Sequence, residues 1–251
     1  MKKIPLILFV LLVLAAVASG GLLQERQAAV ISARGSSSSS SSSSGGSIDL
    51  SLAMSAVAFE YHGTTLTLNK PTGTVDGNFL LAVVYSQGYA PSYTITPPSG
   101  WTQIGSTQNF SGEDIYAGVY YKRASSEGAS WGWTVPDNDT CGVVWRITGV
   151  VASGDPEDAT RYVGTQAWDG GTTTTWNAIT TSTAGSAIIG IRTQNDASTV
   201  SSASMTERYD TNNKIVIIAD TQASAGSSGS KSATESAAGQ RIKIMIALKP
   251  E

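Results

Sequence analysis

One cysteine, one histidine and a charged fraction of 14% leave this chain of 251 residues short of the groups on which most protein chemistry relies. With Cys141 alone, no intrachain disulfide can form, so the fold has to rest on its core. With His62 alone, a metal site built on several imidazoles is excluded. A Ser-His-Asp hydrolase would have this one base, and no G-x-S-x-G elbow accompanies it. In Glu60-Tyr61-His62-Gly63 it reads as a solvated side chain at a turn. Lys and Arg number 16 against 19 Asp and Glu, so there is no basic excess to hold a nucleic acid backbone. Beyond the first residues there is also no helical period of apolar side chains.

What is present begins with a leader. Met1-Lys2-Lys3 precedes an uncharged stretch from Ile4 to Leu23, densest in apolar residues from Ile4 to Ala18. Ala16-Val17-Ala18 followed by Ser19-Gly20-Gly21 offers an A-x-A type cleavage site after Ala18, so residues 1–18 read as a secretory signal peptide. The alternative is a retained anchor over 4–23, just long enough to cross a bilayer core of roughly 30 Å as a hydrophobic helix. Either way the remainder is exported, extracellular or at the cell surface, and a membrane is a partner only if the leader is retained. Removal of Met1 to Ala18 leaves 14 basic and 19 acidic residues, a formal charge of −5. Nine serines, Ser36 to Ser44, follow, and residues 19–47 are expected to form a flexible linker, because such chain has too little apolar surface to offset the entropy of ordering it.

Residues 48–251 alternate apolar and polar side chains, the mark of half-buried strands. Ile48, Leu50, Leu52, Met54 and Ala56 form one such row, Val143, Trp145 and Ile147 another, and Ile242, Ile244, Ile246 and Leu248 a third. Phe79 to Tyr85 and Lys214 to Ala219 are apolar on both faces and predict central strands. The pattern also repeats: Gly77 to Val83 is echoed by Gly185 to Ile191, Ser99-Gly100-Trp101-Thr102 by Ala203-Ser204-Met205-Thr206, and Val119 to Ser125 by Ile217 to Ser224. After these come Trp145-Arg146-Ile147 in the first half and Arg241-Ile242-Lys243-Ile244 in the second. The expectation is one all-β domain, an antiparallel β-sandwich with an internal duplication, preceded by an N-terminal hydrophobic helix.

The segments Gly77 to Val83, Pro98 to Thr102, Tyr120 to Ala124, Ala225-Gly226 and Ala247 to Pro250 resemble a widespread group of jelly-roll-like domains with a P-S-G-W-T motif, found in phage particles and secreted bacterial proteins. The resemblance covers roughly Thr64 to Pro250. It implies a jelly-roll-like sandwich with an adhesive or structural role, and it brings no catalytic residues. The leader departs from what an ordinary virion protein needs.

Three candidate chemistries remain. Acidic residues cluster as Glu113-Asp114, Asp137-Asn138-Asp139 and Asp155-Pro156-Glu157-Asp158 in segments that read as turns. Strand-borne acid pairs that could flank a glycosidic bond are missing, which leaves a polysaccharide-degrading enzyme a distant third reading. Asp137, Asp139, Asp155 and Asp158 supply oxygen ligands suited to calcium if their loops meet at one end; no other cofactor is indicated. Among the tryptophans, Trp101, Trp131, Trp133 and Trp145 read as core anchors, whereas Trp168 and Trp176, exposed together, would make a platform for sugar rings. The sequence thus points to a secreted or surface-tethered, non-enzymatic module for adhesion, surface structure or particle assembly, whose partner is a surface glycan, a protein or another copy of itself. The alternative is a carbohydrate-binding module.

Overall fold

Both faces of Phe79 to Tyr85 are apolar, and the chain places that segment where both faces are covered. The computed structural model describes residues 46–88, 94–110, 115–168, 170–210 and 214–251, with backbone alone at 56–62 and 136–138. The leader with its expected helix, and the serine run, lie outside the described residues. The first half forms β1 (Met54–Asn69), β2 (Phe79–Gln87), β3 (Thr102–Phe110), β4 (Ile115–Arg123) and β5 (Ser130–Ile147), an antiparallel sheet in the order β1-β5-β2-β4-β3. The second half forms β6 (Tyr162–Gln166), β7 (Thr173–Trp176), β8 (Thr180–Thr181), β9 (Ser186–Gln194), β10 (Val200–Ala203), β11 (Glu207–Asp210), β12 (Ile215–Gln222), β13 (Gly226–Ser227), β14 (Lys231–Glu235) and β15 (Arg241–Leu248). Its main sheet runs β6-β15-β9-β12-β11, which is the first order with each strand replaced by its echo.

The two main sheets face each other. Phe79, Leu81, Val83 and Tyr85 of β2, with Val143, Trp145 and Ile147 of β5, pack against Ile189 and Ile191 of β9, Ile215 and Ile217 of β12 and the Ile242-to-Leu248 row of β15. The alternate residues of the same strands point away and fill two further cores. Leu80, Ala82 and Val84 lie under Leu66, Leu68, Trp131 and Trp133. Ile188, Val216, Ile218 and Met245 lie under Trp176 and Ala233. Each half is therefore a small sandwich, and the two share a central core.

The outer layers arise differently in the two halves. In the first, β1 and β5 are long enough to belong to both layers. Register shifts between Val57 and Thr65 bend the pair, and the outer part continues from Thr65↔Thr134 to Asn69↔Ser130. Gly142 permits the fold-over, since a Cβ there would stand 2.9 Å from a Leu68 methyl carbon. In the second, the same two strands are each broken in two, β6 then β7 and β14 then β15, and β10-β14-β7 forms a separate three-stranded sheet. The edges agree with a two-fold relation between halves: Gly105 in β3 lies against Arg161 just before β6, and Asp49 before β1 feels the charge of Arg208 in β11.

Several expectations are corrected. Residues 48–53 are not a strand: they make the isolated bridge Asp49↔Thr148 and a bond from the Arg146 amide to the Ala53 carbonyl before β1 begins at Met54, although Ile48 and Leu50 are buried in the central core. The Glu60-to-Gly63 segment is not a turn but the bent middle of β1, and Asp137 to Asp139 is strand within β5. Because β2 pairs Leu81 with Trp145 and β9 pairs Ile189 with Ile246, Trp145 corresponds to Ile246, not to Arg241. A short motif match does not fix register, whereas the ladder does: the slip from Arg241 to Ile246 is five residues, and an odd slip would turn Trp145 to the other face.

β15 lies between β6 and β9 and carries a full row of the central core. Truncation after Gly239 is expected to leave no folded monomer, seen as loss of the cooperative thermal transition and of amide dispersion in NMR spectra. A truncated chain that still melts cooperatively would overturn this placement.

Candidate functional site

The predicted site residues do not converge. Trp168 is 60% exposed just beyond β6, but Trp176 is fully enclosed in the outer core and its Nε1 donates to the Ile191 carbonyl at 2.9 Å. A threonine run reads as surface, yet in β7 alternate residues turn inward, so the joint platform is not formed. The acids separate as well. Asp139 pairs with Gln87 at the end of β2, near Tyr85, Cys141 and Lys214, whereas Asp158 is bound to Ser186 at the start of β9. Lys214, just before β12, lies beside the far end of the nine-residue β9, so the two acids stand at opposite ends of the sandwich, on the order of 25 Å apart. Asp155 is exposed and its Oδ1 accepts from the Glu157 amide at 3.0 Å. Asp137 lies where only the backbone is described. Among the described residues no three His, Cys, Asp or Glu side chains gather as a metal site would require.

Asp158 is occupied in another way. Its carboxylate accepts from the Ser182 amide and hydroxyl, the Thr183 amide and hydroxyl, and the Ser186 hydroxyl at 2.6–3.1 Å. Burial alone would raise its pKa, but these donors outweigh it and hold the group below the ordinary carboxylate range. Cys141 is the reverse case: burial pushes its thiol up to about 12, so it stays protonated and unreactive at neutral pH.

The informative difference lies between the two outer layers. In the first half, Trp101 packs edge-on to Trp131 and tilted on Trp133, each at 5.2 Å between ring centroids, and Tyr120 meets Trp133 at 4.8 Å. The rim is closed by Glu127, which accepts from Trp131 Nε1 and pairs with Lys122, both at 2.9 Å. Register assigns the equivalents. Trp131 opposes Leu68 as Lys231 opposes Trp176, and Trp133 opposes Leu66 as Ala233 opposes Thr174. Trp101, by the motif echo, corresponds to Met205. Three tryptophans are thus replaced by Met205, Lys231 and Ala233. Beside Met205 and Lys231, the equivalents of Trp101 and Trp131, there is a cleft of about 460 Å³, lined by Ile188, Met205, Asp220, Gln222, Ser227 and Lys231 among others. A second cleft of about 410 Å³ adjoins it, shares Asp220 and Thr221, and is bounded by Asp49, Ser51 and Arg208.

The rim of the first cleft is partly fixed. Asp220 lies 3.7 Å from Arg208 and accepts from the Thr206 amide, while Gln222 Nε2 donates to Ser224 and Gly226 carbonyls and to the Thr181 hydroxyl. Sequence reasoning missed this site because Ala223 to Ser230 reads as a plain turn. The signal was the echo itself, in which Trp101 aligns with Met205.

The other end of the same layer is ionic. Arg192 and Arg241 are fully buried, and Glu235 is nearly so. Glu235 forms an ion pair with Arg192 at 2.8 Å, accepts from Thr174 at 2.5 Å and lies 3.8 Å from Arg241, which also donates to Gln194 at 2.9 Å and to the Gly171 carbonyl at 2.8 Å. By register Arg192 stands where the first half has Val84, Glu235 where it has Val135, and Arg241 where it has Thr140. Burial lowers the Arg192 pKa against the pull of Glu235, and its Nε and Nη1 have no hydrogen-bond partner in the protein.

Among the described residues no helix is long and apolar enough to cross a membrane. Comparison with known proteins finds no matching family model, no matching curated protein and no matching solved structure.

Two outcomes are expected. Asp158→Asn is expected to cost about 2 kcal/mol at neutral pH in urea unfolding. Because the folded-state pKa is lowered, this stability is complete above the unfolded value near 3.8 and is lost as pH falls through the lower folded one, so the variant's acid limb is expected to be flatter. Glu235→Val alone strands two guanidinium groups and is expected to cost roughly 3–5 kcal/mol, whereas the triple change R192V/E235V/R241T, which copies the first half, is expected to recover most of that loss. Equal destabilisation by both would show that the ion cluster is worth more than its apolar equivalent.

Proposed function

We propose that this chain is an exported, non-catalytic β-sandwich module that works in adhesion from a surface tether or as a secreted protein. The observation that carries the reading is how its reactive and aromatic groups are used. Five of the six tryptophans are buried in the three cores, the thiol is enclosed, and Asp158, Glu127 and Glu235 are taken up in holding loops and layers together. What faces outward beside Trp168 is mainly hydroxyl, amide and glycine, a weakly charged surface suited to contact and not to bond cleavage. The leader and the serine run support export and a standoff from the tether. The likeness to secreted and virion-associated jelly-roll-like domains points the same way.

The test is to express the full chain with its own leader and follow where it goes and what it binds. The expected result is protein outside the cytoplasm that is monomeric by negative-stain electron microscopy and makes coated beads adhere to cells or extracellular matrix. Filaments or shells would move the reading to particle assembly. Retention in the cytoplasm would overturn export, and turnover of a polysaccharide substrate would overturn the non-catalytic assignment.

A further inference from the structure

We propose that the cleft of the second half, between Met205 and Lys231, is a binding site for a neutral sugar unit of a surface glycan. This rests on the adhesion reading and names the ligand class that would serve it.

The position is one that the fold fills when it has no use for it. In the first half the same space holds Trp101 against Trp131, sealed by the Lys122–Glu127 pair. In the second half the main-sheet floor is similar in kind, with Ile188 in the place of Leu80 and Ile218 in that of Tyr120; Trp176 and Ile179 fill part of the layer above it, but Met205 and Lys231 take the places of Trp101 and Trp131. Loss of filling from a buried layer costs stability by removing contacts without replacing them. Here the cost yields an open cleft of about 460 Å³, inside the range of roughly 300–1,000 Å³ typical of small-molecule sites.

The lining selects the ligand. Ile188 and Met205 give an apolar floor that suits the C–H face of a pyranose. Around it stand Asp220, Lys231, the Gln222 amide and serine and threonine hydroxyls, a mixed set of donors and acceptors. One carboxylate and one ammonium line the cleft, and Arg208 beside Asp220 belongs to the adjoining one, so a ligand meets both an acceptor and a donor. A purely apolar ligand would strand the polar rim, and a divalent cation would find a single carboxylate. Neighbouring sugar hydroxyls satisfy both charges, donating to Asp220 and accepting from Lys231. Lys231 is suited to that role because it forms no ion pair among the described residues. Asp220 is held in place by the Thr206 amide and by Arg208, so its carboxylate is oriented before any ligand arrives.

The experiment uses the full chain on a printed array of bacterial and mammalian glycans. For any glycan retained, amide shifts on a labelled sample are then followed by NMR with the corresponding free oligosaccharide. Three variants accompany the wild type. Met205→Trp returns the indole of the first half to the wall of the cleft that Met205 and Lys231 line. Asp220→Asn and Lys231→Ala alter the rim without touching a core. The expected result is saturable binding with shifts at Met205, at 220–228 and at Lys231, abolished by Met205→Trp and weakened about tenfold by each rim change. If Met205→Trp fails to fold, the two rim variants decide. Absence of binding to any printed glycan, or binding that Asp220→Asn and Lys231→Ala leave unchanged, overturns the assignment. Bead adhesion separates the two readings. Adhesion by wild type that persists in the rim variants sinks the cleft and spares the adhesive module, whereas wild-type protein that adheres to nothing sinks the adhesive module itself.

Discussion

The central strands of both main sheets carry large apolar side chains on both faces, and the rest of the architecture follows from that constraint. A sheet with one apolar face is satisfied by a single partner, as in an ordinary sandwich. Here β2 sends Leu81 and Val83 to one side and Leu80, Ala82 and Val84 to the other, and β9 and β12 do the same with isoleucine and valine. Two such sheets can cover each other on one face only. Each must then carry its own outer lid, which is why the strands of the first half are long enough to fold back and why the second half spends β7, β10 and β14 on a separate sheet. The central core is formed by both halves together, so neither main sheet has both faces covered without the other.

Duplication makes the two lids an internal comparison. The same backbone plan is filled in one case with tryptophan, leucine and valine and in the other with Met205, Lys231, Arg192, Glu235 and Arg241. A buried arginine–glutamate cluster is weak support for stability, since ions give up more hydration than their attraction returns unless every donor is met, and Arg192 leaves two donors unmet. The apolar solution is demonstrably available to this fold, because the first half uses it. The polar filling is therefore not forced by the architecture, and it holds a definite set of partners: Thr174 of β7, Glu235 of β14, Arg192 of β9 and Arg241 of β15. Such directional bonds fix how the lid sits over the sheet, which an interchangeable set of aliphatic contacts does less sharply.

Much of the fold was legible because strand alternation and the echo between halves are both carried by large apolar residues. Val143, Trp145 and Ile147 share a face in the structure as they do in the sequence, and so do Trp131, Trp133 and Val135. Legibility failed wherever polarity was taken as exposure. Arg192 and Arg241 sit among apolar neighbours in strands that are otherwise core, and Thr174 and Trp176 face inward from a run of threonines; each is buried because its strand's register leaves it no other direction. The acidic segments failed for a topological reason. Asp139 belongs to the bent part of β5 at one end, and Asp158 to the link between halves at the other, and nothing local in the sequence says at which end of a sandwich a connection lies.

The two halves have divided the work that a single sandwich would have to combine. In the first, three tryptophans and Tyr120 pack ring against ring in the lid, and its rim is tied by Glu127. In the second, the lid is held at one end by ions and left open at the other, an arrangement that a lone domain could sustain only from its own small core. Sharing the central core removes that restriction. The row from Ile242 to Leu248 is anchored against the first half whatever happens above it, so substitutions over Ile188 and Met205 cost contacts in the outer core without loosening the main sheet. The cleft thus lies over a sheet whose other face is packed against the first half, so its side chains can vary while the central core keeps that sheet in place.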